Sequence, residues 1–362
     1  MDFLGRQHRL QAALRERRLD ALLVTHLPNI HYLCGFTGSA GALWVTFSGC
    51  VFFTDSRYTE QAHAEVQGAK VIILRKALLP SIGEWVARKP RGKTLILVGV
   101  EGEHLSMAAS RMLSRAVSGK CRLRGCSGIV EQARLIKDAD EIQLLRQAVE
   151  VGASLFDHAL AALRPGLPEL EVASAIESAA RKAGAEAMSF ETIVAAGTRS
   201  ALPHGRASQA LVPSSGFVVC DFGVILHGYC SDRTRTVWVG SETAEARRVY
   251  AAVLEAQLAA IAVVGPGVAL GKVDQAARNT LKKQGLGKYF THSTGHGVGL
   301  EVHEAPRVAQ GQTDFLQAGM VITIEPGVYL SGQWGVRIED MVLVTEEGCE
   351  VLSPGNKEFR AI

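Results

Sequence analysis

Two stretches of this chain repeat each other about a hundred residues apart, and each repeat ends in two acidic residues set among apolar strands. Leu163-Arg164-Pro165-Gly166-Leu167 returns as Val264-Gly265-Pro266-Gly267-Val268. Val172, Ala175, Lys182 and Gly184 return in step as Val273, Ala276, Lys283 and Gly285. The string from Gly216 to Asp221-Phe222-Gly223 is echoed from Gly319 to Glu325-Pro326-Gly327, and Gly228 to Asp232 is echoed by Gly335 to Glu339. A fold used twice, with its copies packed face to face, brings four carboxylates together. Four unpaired carboxylates cannot all stay ionised in a shared buried cleft, and bound cations are the usual remedy. The repeat therefore predicts a metal site between two pseudo-symmetric halves.

The 362 residues suffice for two domains, and a hydrophobic fraction of 47% with 21% charged residues is that of a globular protein. A net charge of +3, with no basic run interleaved with aromatics, argues against nucleic acid as a partner. The 7 cysteines are odd in number and contain no CxxC pair, which points to a reducing, cytoplasmic setting. The N-terminal residues lack the apolar run of a secretory signal, and no stretch is long enough to span a bilayer.

Short apolar runs at 21–24, 42–45, 51–54, 71–74 and 95–98 predict strands, and 5–18, 57–67 and 104–117 predict helices. Residues 1–127 thus read as a small α/β domain with a mostly buried sheet. Residues 128–140 read as a linker. Asp138 and Glu141 then have capping-box spacing, and helical periodicity follows to Leu163, before Pro165-Gly166. Residues 141–362 read as the duplicated α+β domain, with helices over 169–183, 242–263 and 270–284. Its helices are expected on one face of a shared antiparallel sheet, with the carboxylates on the other.

Asp221 and Asp232 are spaced to lie on one side of two paired strands. Glu325 follows Ile322-Thr323-Ile324, and Glu339 follows Ile338. An acid on an apolar strand is costly unless paired or ligating metal. His296, between glycines, adds an imidazole donor. Four carboxylates and one imidazole suit Mn²⁺, Co²⁺, Fe²⁺ or Zn²⁺. Five ligands exceed what one open catalytic ion needs, and fit two ions with bridging carboxylates. His204, His292 and His303 are further imidazoles that can bind a substrate carbonyl or shuttle protons. Arg337 has the reach either to hold a substrate carboxylate or to form a supporting salt bridge.

Together these residues resemble the ligand pattern of the pita-bread metallopeptidases, family M24, which include aminopeptidase P, prolidase and methionine aminopeptidase. Leu202-Pro203-His204-Gly205, His292-Ser293-Thr294-Gly295-His296-Gly297, Val302-His303-Glu304-Ala305-Pro306, Thr323-Ile324-Glu325-Pro326-Gly327 and Val336-Arg337-Ile338-Glu339-Asp340 resemble the proline-specific branch. The resemblance covers the whole chain and implies a creatinase/prolidase-type N-terminal domain ahead of a pita-bread catalytic domain. It implies that Asp221 binds one ion, that His296 and Glu325 bind a second, and that Asp232 and Glu339 bridge them, with Mn²⁺ the leading expectation. It implies substrate contacts from His204, His292, His303 and Arg337, and catalytic parts for His204, His303 and Glu325. The expected reaction is hydrolysis, by a metal-bound hydroxide, of the bond between an N-terminal residue and proline in small peptides.

Within that branch, Phe36-Thr37-Gly38-Ser39-Ala40-Gly41 and Phe53-Thr54-Asp55-Ser56-Arg57-Tyr58 look more like aminopeptidase P, with prolidase (Xaa-Pro dipeptidase) as the alternative. A metal-free binding module or a creatinase-like hydrolase on the same fold are remoter alternatives. The resemblance also implies a homodimer or higher oligomer.

Overall fold

The computed structural model describes residues 1–88, 95–117, 119 and 121–362. They form two compact units, Met1–Arg134 and Leu135–Ile362.

The first unit carries a six-stranded mixed sheet. Its strands are β1 (Ala21–Val24), β2 (Ala42–Thr46), β3 (Gly49–Asp55), β4 (Ala69–Leu74), β5 (Ile96–Glu101) and β6 (Cys121–Cys126), in the order β4-β3-β2-β1-β5-β6. The central strands are buried, whereas β4 and β6 at the edges are partly exposed. Helices α1 (Phe3–Glu16), α2 (Leu27–Cys34), α3 (Thr59–Glu65), α4 (Leu78–Ala87), α5 (Met107–Ala116) and α6 (Ile129–Arg134) complete it. The sequence pattern does not predict α2 or α4, because Pro28, Pro80 and Gly83 read as breakers. Pro28 lies in the first turn of its helix, where a missing N–H costs nothing. Helix α6 falls inside the stretch 128–140 that the sequence pattern reads as linker.

In the second unit, α7 (Ala139–Ala162) opens on a reciprocal cap. Asp138 accepts the Glu141 N–H at 2.9 Å, and Glu141 accepts the Asp138 N–H at 3.1 Å. Next come α8 (Glu169–Lys182), β7 (Ala187–Met188), β8 (Ile193–Ala196), β9 (Gly216–Phe222), β10 (Val224–Leu226), β11 (Tyr229–Cys230) and β12 (Arg233–Val239). The second copy brings α9 (Ala244–Ile261), α10 (Leu270–Lys283), β13 (Gly295–Gly297), β14 (Glu304–Val308), β15 (Val321–Ile324), β16 (Gly327–Leu330), β17 (Trp334–Arg337), β18 (Asp340–Val344) and β19 (Cys349–Val351).

Each copy has its own apolar core. Leu155, Ile176, Val194, Val218, Phe222 and Val237 form the first, and Val249, Val253, Ala277, Leu281, Ile322 and Val342 belong to the second. All strand pairings here are antiparallel, but the shared sheet expected from the sequence is divided into four: β12-β9-β8, β11-β10-β7, β14-β13-β15-β18-β19 and β16-β17. The ladder of β15 stops at Ile324 because Pro326 has no N–H to donate. The halves are stitched where the Glu339 N–H donates to the Thr234 carbonyl at 3.2 Å. No described helix is long and apolar enough to cross a membrane, and none of the seven cysteines is in a disulfide.

Candidate active site

Strand register delivers the acids in pairs. Asp221 lies opposite Thr234 on β9 and β12, and Asp232 sits two residues before Thr234, so period two turns both acids to one face. In the second copy Ile324 pairs with Asp340, leaving Glu325 and Glu339 side by side just past the ladder. The β13 strand carries His296 and is irregular between His296 and Gly297. Two glycines permit the close approaches. A Cβ on Gly223 would lie 1.8 Å from the Ser231 carbonyl oxygen, and one on Gly295 would lie 1.8 Å from that of Thr323.

All nine residues singled out from the sequence line one cleft of about 620 Å³: Asp221, Asp232, His296, Glu325, Glu339, His204, His292, His303 and Arg337. Ligand atoms of Asp232, His296 and Glu339 lie within 4.8 Å of one another. His296 Nε2 is 3.3 Å from Glu325 Oε1 and 3.7 Å from Asp232 Oδ2. The His296 and His303 rings meet edge to face, with centroids 4.3 Å apart.

The Arg337 side chain is largely committed to the protein. Its Nη2 donates to Asp221 Oδ2 at 2.5 Å, Nη1 to the Pro203 carbonyl and the Tyr329 hydroxyl, and Nε to Thr234 Oγ1. Of the two uses the sequence leaves open for Arg337, the salt bridge is the one formed. Thr234 in turn donates to Glu339 Oε2 at 2.7 Å, and His292 Nε2 is 3.0 Å from the Tyr329 hydroxyl.

Electrostatically the cleft asks for cations. Burial pushes the Asp232 carboxyl well above its ordinary range, and the Asp221 charge adds to that. Glu339 is likewise driven well up by burial and by Asp232. Burial also raises Asp221, against the pull of Arg337. Burial opposes a charged His296, yet the bond it donates to Glu325 and the nearby acids outweigh it and raise the ring to about 9. Burial similarly opposes ionised Glu325, but His296 holds it below its ordinary value. Asp221 Oδ1 is buried with no hydrogen-bond partner. An orphaned carboxylate oxygen, two acids forced toward protonation and an imidazole drawn onto them fit a divalent-cation centre.

These shifts set a pH dependence for metal-stripped protein. In the folded chain Asp232 and Glu339 hold protons that the unfolded chain releases above about pH 4. His296 holds its proton up to about 9 rather than its ordinary 6.5. At these three groups the native state binds more protons, so their contribution to stability falls as pH rises through this window, opposed by Glu325 at the acid end and by His292 and His303, which burial lowers, toward neutral pH. Metal competes with those protons. The rise in Tm on adding Mn²⁺ should therefore be larger near about pH 8 than near about pH 5.5. Equal increments at both pH values would contradict the assignment.

Supporting residues escaped the sequence reading. Glu169, fully buried at the start of α8, accepts from the Ala196 N–H, Arg199 and Ser208, pinning the segment that leads into His204. Asp274, fully buried in α10, accepts from Thr294 and Arg278 and pins the loop holding His292 and His296. Lys137 and Glu304 form a buried ion pair of 2.9 Å beside His303. Each is a helix or loop charge in the sequence, and only the tertiary fold reveals its partner.

Comparison with known proteins agrees with this geometry. Residues 143–346 match metallopeptidase family M24, and residues 6–136 match the creatinase/prolidase N-terminal domain. Similar solved structures include an Xaa-Pro dipeptidase from Bacillus anthracis (37% identity, TM-score 0.94, covering 99% of this chain and 100% of that one). A prolidase from Pyrococcus horikoshii OT3 has 34% identity and a TM-score of 0.92, covering 98% of this chain and 99% of that one. An X-Pro aminopeptidase from Thermotoga maritima MSB8 has 35% identity and a TM-score of 0.88, with the same two coverages. The chain belongs to metallopeptidase family M24. It joins a creatinase/prolidase N-terminal domain to a pita-bread catalytic domain, and it is a peptidase of the prolidase and Xaa-Pro type.

Proposed function

We propose that this protein is an Xaa-Pro dipeptidase that uses two divalent ions, Mn²⁺ foremost. The observation that carries the metal chemistry is the convergence of four carboxylates and His296 on one cleft. The preference for dipeptides is supported by the likeness to the B. anthracis dipeptidase and the P. horikoshii prolidase. It reverses the order that the 36–41 and 53–58 motifs suggest, where aminopeptidase P stands first.

Asp221 would hold one ion, His296 and Glu325 the other, and Asp232 and Glu339 both. Such ions supply Lewis acidity and lower the pKa of water. Glu325, kept ionised by His296, takes the proton of the attacking water. It hands that proton to the proline nitrogen as the C–N bond breaks, which matters because this amide nitrogen carries no hydrogen of its own. His303 is held neutral, since burial and then His296 lower its pKa. It donates an N–H to the oxyanion, and His204, on the same cleft wall, assists. His292, bonded to Tyr329, faces the substrate. Arg337 orients Asp221. Phe190, Ile193 and Pro203 supply apolar wall for a pyrrolidine ring. Arg307 lines the cleft and forms no ion pair among the described residues, so it is available to proline's free carboxylate.

The second reading, Xaa-Pro aminopeptidase, draws support from the T. maritima structure. Hydrolysis of Ala-Pro and Ala-Pro-Ala at matched concentration separates them. The dipeptidase reading expects Ala-Pro to have the higher kcat/KM by at least about tenfold, one charge-assisted contact being worth that much. Faster cleavage of Ala-Pro-Ala would promote the aminopeptidase.

A further inference from the structure

His303 is held less by its own side chain than by its backbone. Its ring meets His296 edge to face, but it makes no side-chain hydrogen bond among the described residues, and the residue is exposed. It ends the loop 298–303 between β13 and β14. Where the imidazole points is therefore decided by what fixes that loop.

The next residue supplies the anchor. Glu304 lines the same cleft, yet its carboxylate is turned onto Lys137 at 2.9 Å, and the Lys137 and Glu304 side chains are only 1% and 7% exposed. The Glu301 N–H also donates to Glu304 Oε2 at 3.4 Å, so one carboxylate holds two points of the loop. The glycines after His296 make room for it. A Cβ on Gly299 would lie 2.5 Å from Glu304 Oε1, and one on Gly297 would lie 2.1 Å from the Ala305 carbonyl oxygen. The Gly299 carbonyl accepts from the Cys230 N–H at 2.8 Å, two residues before Asp232. Lys137 comes from the segment just ahead of α7, where its own N–H donates to the Gly319 carbonyl at 2.9 Å.

A buried ion pair is often no more stabilising than apolar residues of the same volume. What this one supplies is a fixed point for the loop, because a carboxylate buried beside one ammonium has one favourable position. The ammonium also cancels the Glu304 charge on a cleft wall where four other carboxylates already converge.

We propose that Lys137, acting through Glu304, is a positioning residue for the reaction: the pair sets the loop 298–303 so that the His303 N–H meets the oxyanion. The inference rests on the reading of His303 as the oxyanion donor.

The test is a double-mutant cycle on Ala-Pro hydrolysis, with metal content measured throughout. Removing both charges together, by Lys137→Met with Glu304→Gln, leaves no unpaired buried ion, so that chain should fold with a Tm near that of the wild type. Its kcat should fall at least about tenfold, with KM changed less than about threefold and metal content unchanged, because misplacement at a reacting centre costs rate. In a His303→Ala background the same pair of changes should cost less than about twofold more, since the group they position is gone. Gly299→Ala makes the same comparison with the ion-pair residues intact. Its Cβ displaces only the flexible end of Glu304, and it should lower kcat in the wild type but not in His303→Ala. An unchanged kcat in these chains, or the same fold-loss in His303→Ala as in the wild type, would overturn the inference and leave the role of His303 standing. No loss of kcat in His303→Ala itself would overturn the oxyanion reading, and this inference with it.

Discussion

Asp232→Ala and Glu339→Ala should each lower kcat for an Xaa-Pro substrate by on the order of 10³ or more, and each should lose bound metal. Both side chains are buried and belong to the trio whose ligand atoms lie within 4.8 Å of one another. Each would touch both ions, so its removal disturbs the whole centre. Lewis-acid stabilisation worth several kcal/mol translates, at tenfold per about 1.4 kcal/mol, into losses of this size. Asp221→Ala should cost less, because Asp221 would touch one ion and already shares its charge with Arg337 at 2.5 Å. A milder change at Glu339 has a second signature. In metal-stripped protein, Glu339→Gln should be at least as stable as the wild type, since a carboxyl that burial drives toward protonation is replaced by a neutral amide. Metal content by elemental analysis, read beside kcat, checks the claim. Full metal occupancy with a kcat near wild type in Asp232→Ala would remove Asp232 from the centre.

His303→Ala should lower kcat by on the order of 10²–10³ while metal content stays near that of the wild type. His303 lines the cleft edge to face with His296, and the proposed assignment gives it to the substrate rather than to an ion. As a neutral donor it would act on the oxyanion that forms during hydrolysis rather than on the ground-state substrate. The loss should therefore fall on kcat more than on KM. A parallel loss of bound metal would make it a ligand instead.

Much of this architecture is legible in the chain because it is written twice. The offset between Asp221 and Glu325, and between Asp232 and Glu339, exposes both the duplication and its purpose, since an acid beside Ile322 and Ile324 is too costly to be incidental. The capping box at Asp138 and Glu141 is equally local and equally readable. What escapes is whatever depends on partners distant in sequence. Glu169 and Asp274 read as ordinary helix acids until the loops at 196–208 and 292–294 fold onto them. Arg337 reads as a candidate for substrate until Thr234, Pro203, Tyr329 and Asp221 take up its donors. Helices α2 and α4 hide behind prolines that sit in their first turns, where a missing N–H is tolerated. One of the divisions of the expected sheet follows from Pro326, which ends the β15 ladder and which periodicity does not register.

The most direct test of the metal-centred account is hydrolysis of Ala-Pro by protein stripped with a chelator, before and after titration with Mn²⁺. The account predicts no measurable turnover in the stripped protein and recovery that saturates as about two ions bind per chain. Undiminished turnover by protein shown to be free of metal would contradict it.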